Sequence, residues 1–330
     1  MPNVPRPTLR RRSRAERIPL ETVPGASRIE VIEAAGLRWV NVERPNPNDQ
    51  AWLEEEFGFH PLDFEDVFSR NQRPKLEAYD EYLFIVLQFP SFDETTRRLF
   101  AAEVDLFVGP DFLITLPNEP FAPLQAIFER YETREDVRDE TFSKGSGYLL
   151  YKLVDDCVDA SFPMLRKLGL KLERLEDDIF EGRSDQIVRE ISDVKQEIIN
   201  FRKIVRPQQA VLADLERTKQ RYLADELEIY FDDISDAAER IWDTLENYKE
   251  VIEGLESTNE SVLSHRLNDS LRILTAASVV LLPLTLLASI FGMNVTVPGG
   301  DDGNAFWAIL AAMAVLLVVL VLAFRRRGWL

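Results

Sequence analysis

Two long apolar runs limit what this chain can fold into more than any other feature. Ile273 to Phe291 and Phe306 to Phe324 contain no Asp, Glu, Lys or Arg. Each holds about 19 residues, roughly 28 Å of helix at ~1.5 Å per residue, against ~30 Å of bilayer hydrocarbon. In lipid every backbone N–H and C=O must be satisfied internally, which for a single open segment means a helix. Two transmembrane helices, 271–291 and 306–324, joined by a loop over 292–305, are therefore expected. A buried hairpin in a soluble core is the alternative, and the match of both runs to bilayer thickness speaks against it. Arg266 and Arg272 flank the first run, and Arg325, Arg326 and Arg327 close the second. Because cytoplasmic flanks collect Lys and Arg, both termini are expected in the cytoplasm of a multi-pass cell (inner) membrane protein. Residues 325–330 are then a basic cytoplasmic tail, and the loop with Asp301 and Asp302 faces outward.

The rest of the chain must be acidic. Of 330 residues, 39 are Lys or Arg and 57 are Asp or Glu, a formal charge of −18. Such a surface disfavours nucleic acid and favours cations. One cysteine, Cys157, rules out a disulfide framework or thiolate cluster, and the two histidines, His60 and His265, lie far apart. A zinc site would need carboxylates almost throughout, which is uncommon. No P-loop occurs, and Gly145-Ser146-Gly147 is too short for a dinucleotide fingerprint. The usual His or Cys nucleophile arrangement is also lacking, so no enzyme is expected.

Residues 1–27 form a Pro- and Arg-rich tail expected to be mobile; no apolar segment follows Arg10-Arg11-Arg12-Ser13-Arg14, so it is not a secretory signal. An organelle transit peptide is the other reading of that stretch. Over 28–142 short strand and helix patterns alternate: a strand at Leu37–Val42, a helix capped by Asn48 and reaching Phe57, and a second short helix at Pro61–Phe68. A strand at Tyr82–Phe89, a hairpin of Val104–Val108 with Phe112–Leu116, and a helix at Phe121–Tyr131 complete an α/β domain within an α+β chain. Residues 143–207 read as helices: Tyr148–Leu168 interrupted by Pro163, then Leu170–Phe180, and a further helix from Ser184 to Val205 before Pro207. From Gln208 to Leu282 there is no proline, so 208–270 reads as one long stalk helix running into the first span. Its apolar-leaning seam is Leu223, Leu227, Tyr230, Ile234, Ala237, Ile241, Thr244, Tyr248, Val251, Leu255, Thr258 and Val262, alternating by four and three. Packing against other subunits and packing within the chain are both open.

Two helices cannot enclose a water path, so any conduit needs several copies around an axis. The first span carries a polar stripe, Asn268, Thr275, Ser278, Thr285 and Ser289, interleaved with Leu271, Leu274 and Leu282. Ordinary helix contacts in membranes also use small hydroxylic residues. The second span has no such stripe and reads as the lipid-facing helix.

Pro283-Leu284-Thr285 followed by Ile290-Phe291-Gly292-Met293-Asn294, a short loop, a last span and Gly328-Trp329-Leu330 resembles the CorA family of magnesium and cobalt channels with that Gly-Met-Asn signature. Upstream, His60-Pro61-Leu62, Glu65-Asp66, Gln72-Arg73-Pro74-Lys75, Tyr82-Leu83-Phe84-Ile85-Val86, Tyr148-Leu149-Leu150-Tyr151 and Tyr230-Phe231-Asp232-Asp233 are similar to the family's cytoplasmic domain. The resemblance implies a funnel-shaped homopentamer in the lipid bilayer whose stalk helices continue as pore helices. It also implies a selectivity filter at Gly292, Met293 and Asn294, further polar rings at Thr285 and Asn268, and apolar constrictions at Leu271, Leu274 and Leu282. Mg²⁺, with Co²⁺ as a second divalent cation, would be both cargo and regulator. The matching regulatory metal positions are Glu65 and Asp66 on one subunit and Asp155 and Asp233 on the next; read as bare residues, they are solvated acids. Asp301 and Asp302 would concentrate cations at the outer mouth.

Two departures bear on ion choice. Val295-Thr296-Val297-Pro298 stands where magnesium-type members often carry a Met-Pro-Glu-Leu-like loop, and Ser257, near Glu253 and Glu256, stands at an often acidic stalk position. The zinc-transporting branch shares the architecture, and Met293 favours the magnesium side. The rivals are a non-conducting coiled-coil scaffold and a proton-driven carrier, the latter disfavoured by spans without an ionisable residue.

Overall fold

The computed structural model describes residues 28–69, 73–93, 95, 98–181, 184–218, 220, 222–223, 225–293 and 303–327. Cα packing divides the chain into two units, Met1–Asp178 with Arg183–Glu253, and Ile179–Gly182 with Gly254–Leu330.

The first unit is built on a six-stranded sheet. Its strands are β1 (Arg28–Ala34), β2 (Leu37–Glu43), β3 (Lys75–Ala78), β4 (Leu83–Asp93), β5 (Arg98–Val108) and β6 (Phe112–Pro117), in the spatial order β1-β2-β6-β5-β4-β3. Only β2 and β6 run parallel. The β1–β2 hairpin turns on Ala35 (φ 50°) and Gly36 (φ 82°), a two-residue turn with both φ positive that suits strand twist. The expected hairpin of β5 and β6 is present, with Val108 opposite Leu113.

Alternation along the strands sends side chains to two covered faces. On one, Val86, Phe84, Phe107, Ile114 and Leu116 pack with Leu53, Phe59, Phe64 and Val67 from α1 (Pro47–Phe57), α2 (Pro61–Phe68) and the link between them. Phe59 stacks on Phe107 at 4.1 Å. On the other, Trp39 meets Phe128 and Tyr131 of α3 (Ala122–Thr133) edge-on. Trp39 Nε1 donates to Thr115 Oγ1, which donates to Asn41 Oδ1, so these buried polar groups satisfy one another.

Helix α1 begins two residues earlier than expected. Asn46, not Asn48, is the cap: its side chain accepts from the Asn48 N–H, and Asp49 Oδ2 accepts from the Asn46 N–H. Pro47, with no N–H to satisfy and φ already helical, makes that earlier start favourable.

The helical part continues with α4 (Glu135–Phe142), α5 (Ser146–Asp159), α6 (Phe162–Glu181), α7 (Ser184–Arg217), α8 (Glu228–Phe291) and α9 (Gly303–Arg326). Several boundaries differ from the expected ones. The break before α6 falls at Ala160-Ser161, so Pro163 sits in a first helical turn, where its missing N–H costs nothing. Pro207 lies inside α7. Buried Ile204, Val205, Val211 and Leu212 on either side anchor both halves and offset the proline penalty of ~3 kcal/mol. The stalk is not continuous from Gln208, since α7 ends at Arg217 and a 3-10 turn at Asp225–Leu227 precedes α8.

Along α8 the buried stripe is Phe231, Ile234, Ala237, Ala238, Ile241, Leu245, Ile252, Leu255 and Asn259. It shares Ile234, Ala237, Ile241 and Leu255 with the expected seam but takes the neighbouring residue at Phe231, Leu245, Ile252 and Asn259. Tyr230 and Val251 are exposed, whereas Phe231 and Ile252 are buried. Thr244 and Thr258 drop out of the seam; each hydroxyl donates to the carbonyl four residues back. In the first unit α8 packs on its own chain: Arg202 and Arg206 of α7 lie over the Trp242 ring, and Arg202 pairs with Glu246.

The start of α5 touches the 222–227 connection closely. A Cβ on Gly147 would stand 2.6 Å from the Tyr222 carbonyl oxygen and 2.8 Å from Leu227 Cδ1. Gly147→Ala is therefore expected to lower stability by about 1–3 kcal/mol through overpacking, measured by chemical denaturation of the purified full chain.

Candidate ion pathway and metal-sensing acids

The second unit contains the upper part of α8 and α9, both long and apolar enough to cross a membrane. Within this span of α8, Ala276 and Val280 are buried and Pro283, Leu284 and Leu287 half-buried. At ~100° per residue these five fall within about 100° of one another. Leu271, Leu274, Thr275, Ser278, Leu282, Thr285 and Ser289 are all exposed, as is Asn268. By the same spacing these eight fill an arc of about 120° centred opposite the buried side. The expected pore-lining set therefore shares one face, turned away from the contacts the helix makes within its own chain.

Two hydroxyls on that face are tied back to the helix. Ser278 Oγ donates to the Leu274 carbonyl and Thr285 Oγ1 to the Leu281 carbonyl, each at 2.9 Å. A hydroxyl has one donor and two lone pairs. With its proton committed backward to the helix, each oxygen presents only acceptor capacity outward. Pro283 lacks the N–H that would bond the Val279 carbonyl, adding a backbone acceptor within the span.

Helix α8 stops at Phe291. Gly292 N–H still donates to the Ala288 carbonyl at 3.0 Å, and the exposed Met293 follows in a bend. A Cβ at Gly292 would lie 3.0 Å from that same carbonyl oxygen, tight for any larger residue. Asn294, Asp301 and Asp302 lie outside the described residues, as does the 1–27 tail.

The four expected regulatory acids fall into two groups. Glu65 and Asp66 are on α2; Asp66 Oδ2 accepts from Lys75 Nζ at 2.5 Å, and Lys75 also reaches Glu77 at 2.6 Å. That ammonium holds the Glu77 carboxyl below the usual carboxylate range. Asp155 on α5 and the exposed Asp233 on α8 come together beside Tyr151, whose phenol is pushed up by burial and then by these two charges. Asp155 Oδ2 accepts from Lys152 Nζ at 2.8 Å. The Asp159 carboxyl is raised by burial and by Asp155, Asp156 and Asp233, so this face holds more carboxylates than the two expected. Their signal in the sequence is Asp155-Asp156 and Asp159, a spacing that brings acids to one side of a helix. Among the described residues no three His, Cys, Asp or Glu side chains converge as a metal site within the single chain. A metal at Asp155 and Asp233 would need ligands from elsewhere, as an intersubunit site does.

A family model described as "CorA-like Mg2+ transporter protein" matches residues 34–326. The chain belongs to the CorA family. It is 29% identical over 294 residues to the cobalt/magnesium transport protein CorA of Thermotoga maritima, covering 88% of this chain and 83% of that protein. It is also 21% identical to the zinc transport protein ZntB of Yersinia enterocolitica, covering 86% of this chain and 84% of that one. The complete structure of the CorA magnesium transporter from Methanocaldococcus jannaschii superposes with a TM-score of 0.79 at 22% identity, over 89% of this chain and 92% of that one. The CorA fold is thus present: an α/β domain, a long helix entering the first span and a C-terminal helix. CorA-family proteins are membrane transporters rather than enzymes, which agrees with the two apolar helices.

The facing of α8 in this CorA-family chain is open to chemical mapping. Cys157 is buried with its thiol pushed up by burial, so it is inert toward polar thiol reagents. Cysteines placed singly at Ser278 and Thr285 are expected to react with a membrane-impermeant thiol reagent, and those at Ala276 and Val280 to stay unmodified, read by mass spectrometry of the reconstituted protein.

Proposed function

We propose that this chain is the subunit of a homopentameric channel for passive, potential-driven uptake of Mg²⁺, with Co²⁺ as a second cargo. The observation that carries the reading is the acceptor-rich face of α8, which its own chain leaves uncovered in a protein of the CorA family. Five such faces around an axis would line a water path, and the α9 helices would meet lipid. At the outer mouth Gly292, Met293 and Asn294 would form the filter. Mg²⁺ gives up water reluctantly, and a ring of amides can bond its hydration shell without stripping it. Thr285 and Asn268 would continue the polar path, and Leu271, Leu274 and Leu282 would narrow it to constrictions that close by dewetting. Asp301 and Asp302 would raise the local cation concentration at the entrance.

No motor is required. A divalent ion gains about 4.6 kcal/mol per 100 mV of inside-negative potential, twice the single-charge value, enough for roughly a thousandfold accumulation. Cytoplasmic Mg²⁺ bound between subunits, with Asp155 and Asp233 on one surface and α2, bearing Glu65 and Asp66, on the other, would stabilise the closed assembly. Loss of that metal would leave acidic surfaces in repulsion and release the pore. Asp66 and Asp155 each carry a lysine partner, Lys75 and Lys152, which a bound metal would have to displace. Zinc transport is the second reading, favoured by the similarity to the zinc transport protein ZntB.

Liposomes holding the purified protein, an entrapped Mg²⁺ indicator and an imposed inside-negative potential test both readings. Mg²⁺ entry is expected, with a loss of tenfold or more in Asn294→Ala. Internal Mg²⁺ should suppress flux in the wild type and much less in Asp155→Asn/Asp233→Asn. Zinc entry that follows a pH gradient, with no Mg²⁺ flux, would move the protein to the zinc branch. Silence with every ion, in an intact oligomer, would sink the channel reading.

A further inference from the structure

Asp105, in the middle of β5, is fully buried, and neither carboxylate oxygen has a hydrogen-bond partner. Its place in the sheet explains why. In register it lies between Val86 of β4 and Leu116 of β6, both apolar and both part of the aromatic core beneath α1 and α2. Lys75 follows on β3, opposite Val86 and so two strands away from Asp105. Its ammonium is already engaged by Asp66 and Glu77.

The other charged groups around this position do not compensate a carboxylate. Glu103, two residues back on the same strand face, is 6% exposed and accepts from Asn118 Nδ2. Asp66 on α2 adds negative charge through space, and Lys75 offsets only part of the field. Asp63, also on α2 and buried, is held by the Tyr79 and Tyr82 hydroxyls at 2.7 Å each. Stripping an isolated carboxylate of water without a partner costs so much that such a group neutralises instead. Burial foremost, then Glu103 and Asp66, push the Asp105 carboxyl well above the ordinary 3.8.

We infer that Asp105 is a proton-binding site: its carboxyl is protonated at neutral pH, and surrendering the proton requires the sheet face under α2 to open to water. This goes beyond the transport reading and does not depend on it. The device is a latch that tightens in acid and loosens in alkali. A carboxyl whose folded value is raised carries no penalty below the ordinary 3.8. The penalty then grows as pH rises toward the folded value and stays constant above it, so alkalinisation weakens the α2–sheet contact.

Infrared spectroscopy of the full-length protein in detergent at about pH 8, where unperturbed carboxyls are ionised, reads the proton directly. The expected result is a protonated carboxylic-acid C=O band in the wild type that is missing from Asp105→Asn and Asp105→Leu. In parallel, the wild-type melting temperature should fall by roughly 2–4 °C more than that of either variant across the neutral-to-alkaline range. A wild type with no such band at that pH overturns the proposal, whether or not the variants fold. A band or a pH slope that persists unchanged in both variants overturns it as well.

Discussion

Inside a bilayer, backbone hydrogen bonds can only be made within the helix, and the rest of this structure follows from that requirement. It forces α8 to remain helical through Phe291 and leaves side-chain facing as the only variable along the span. One side of that span is given to contacts of its own chain through Ala276 and Val280. The opposite side carries the hydroxyls, of which Ser278 and Thr285 tie their protons to helix carbonyls. The same backbone bonding that permits insertion thus sets the polarity of the exposed face, and a set of acceptors suits cations whichever divalent ion is carried.

Much of this was legible in the sequence, but unevenly. The spans could be read because length and apolarity are set by the membrane rather than by partners. The hairpin of β5 and β6 and the Pro61 helix were legible because turn chemistry and proline act locally. Edge strands β1 and β3 went unnoticed: β1 is half polar, and β3 is only Lys75–Ala78, without a β-branched residue. The break between α7 and α8 carries no proline or glycine, so nothing in 218–227 announces it. Pro207 misled in the opposite sense, since burial on both sides holds the helix through it. The seam on α8 was placed with the right period and one residue off in alternate positions. Periodicity alone cannot choose between Val251 and Ile252; packing against the rest of the chain does.

The acids were harder still. With 57 carboxylates in the chain, no single one stands out, and only resemblance selected Glu65, Asp66, Asp155 and Asp233. The fold adds what composition cannot: Asp66 is paired with Lys75, Asp155 is paired with Lys152 and faces Asp233 around Tyr151, and Asp105 has no hydrogen-bond or ion-pair partner. Four aspartates thus meet different electrostatic surroundings, decided by which strand or helix presents them.

The one parallel pair in the sheet also orders events during synthesis. Strand β2 cannot pair with β6 until Pro117 has left the ribosome, so the sheet closes late relative to its own first strands. Yet Pro117 itself is made some 150 residues before Ile273. Translation is slow compared with the folding of such a domain. The α/β domain therefore has time to acquire its core before the first membrane-seeking segment exists, and the apolar spans emerge attached to a folded body rather than to a nascent coil with which they could misassociate.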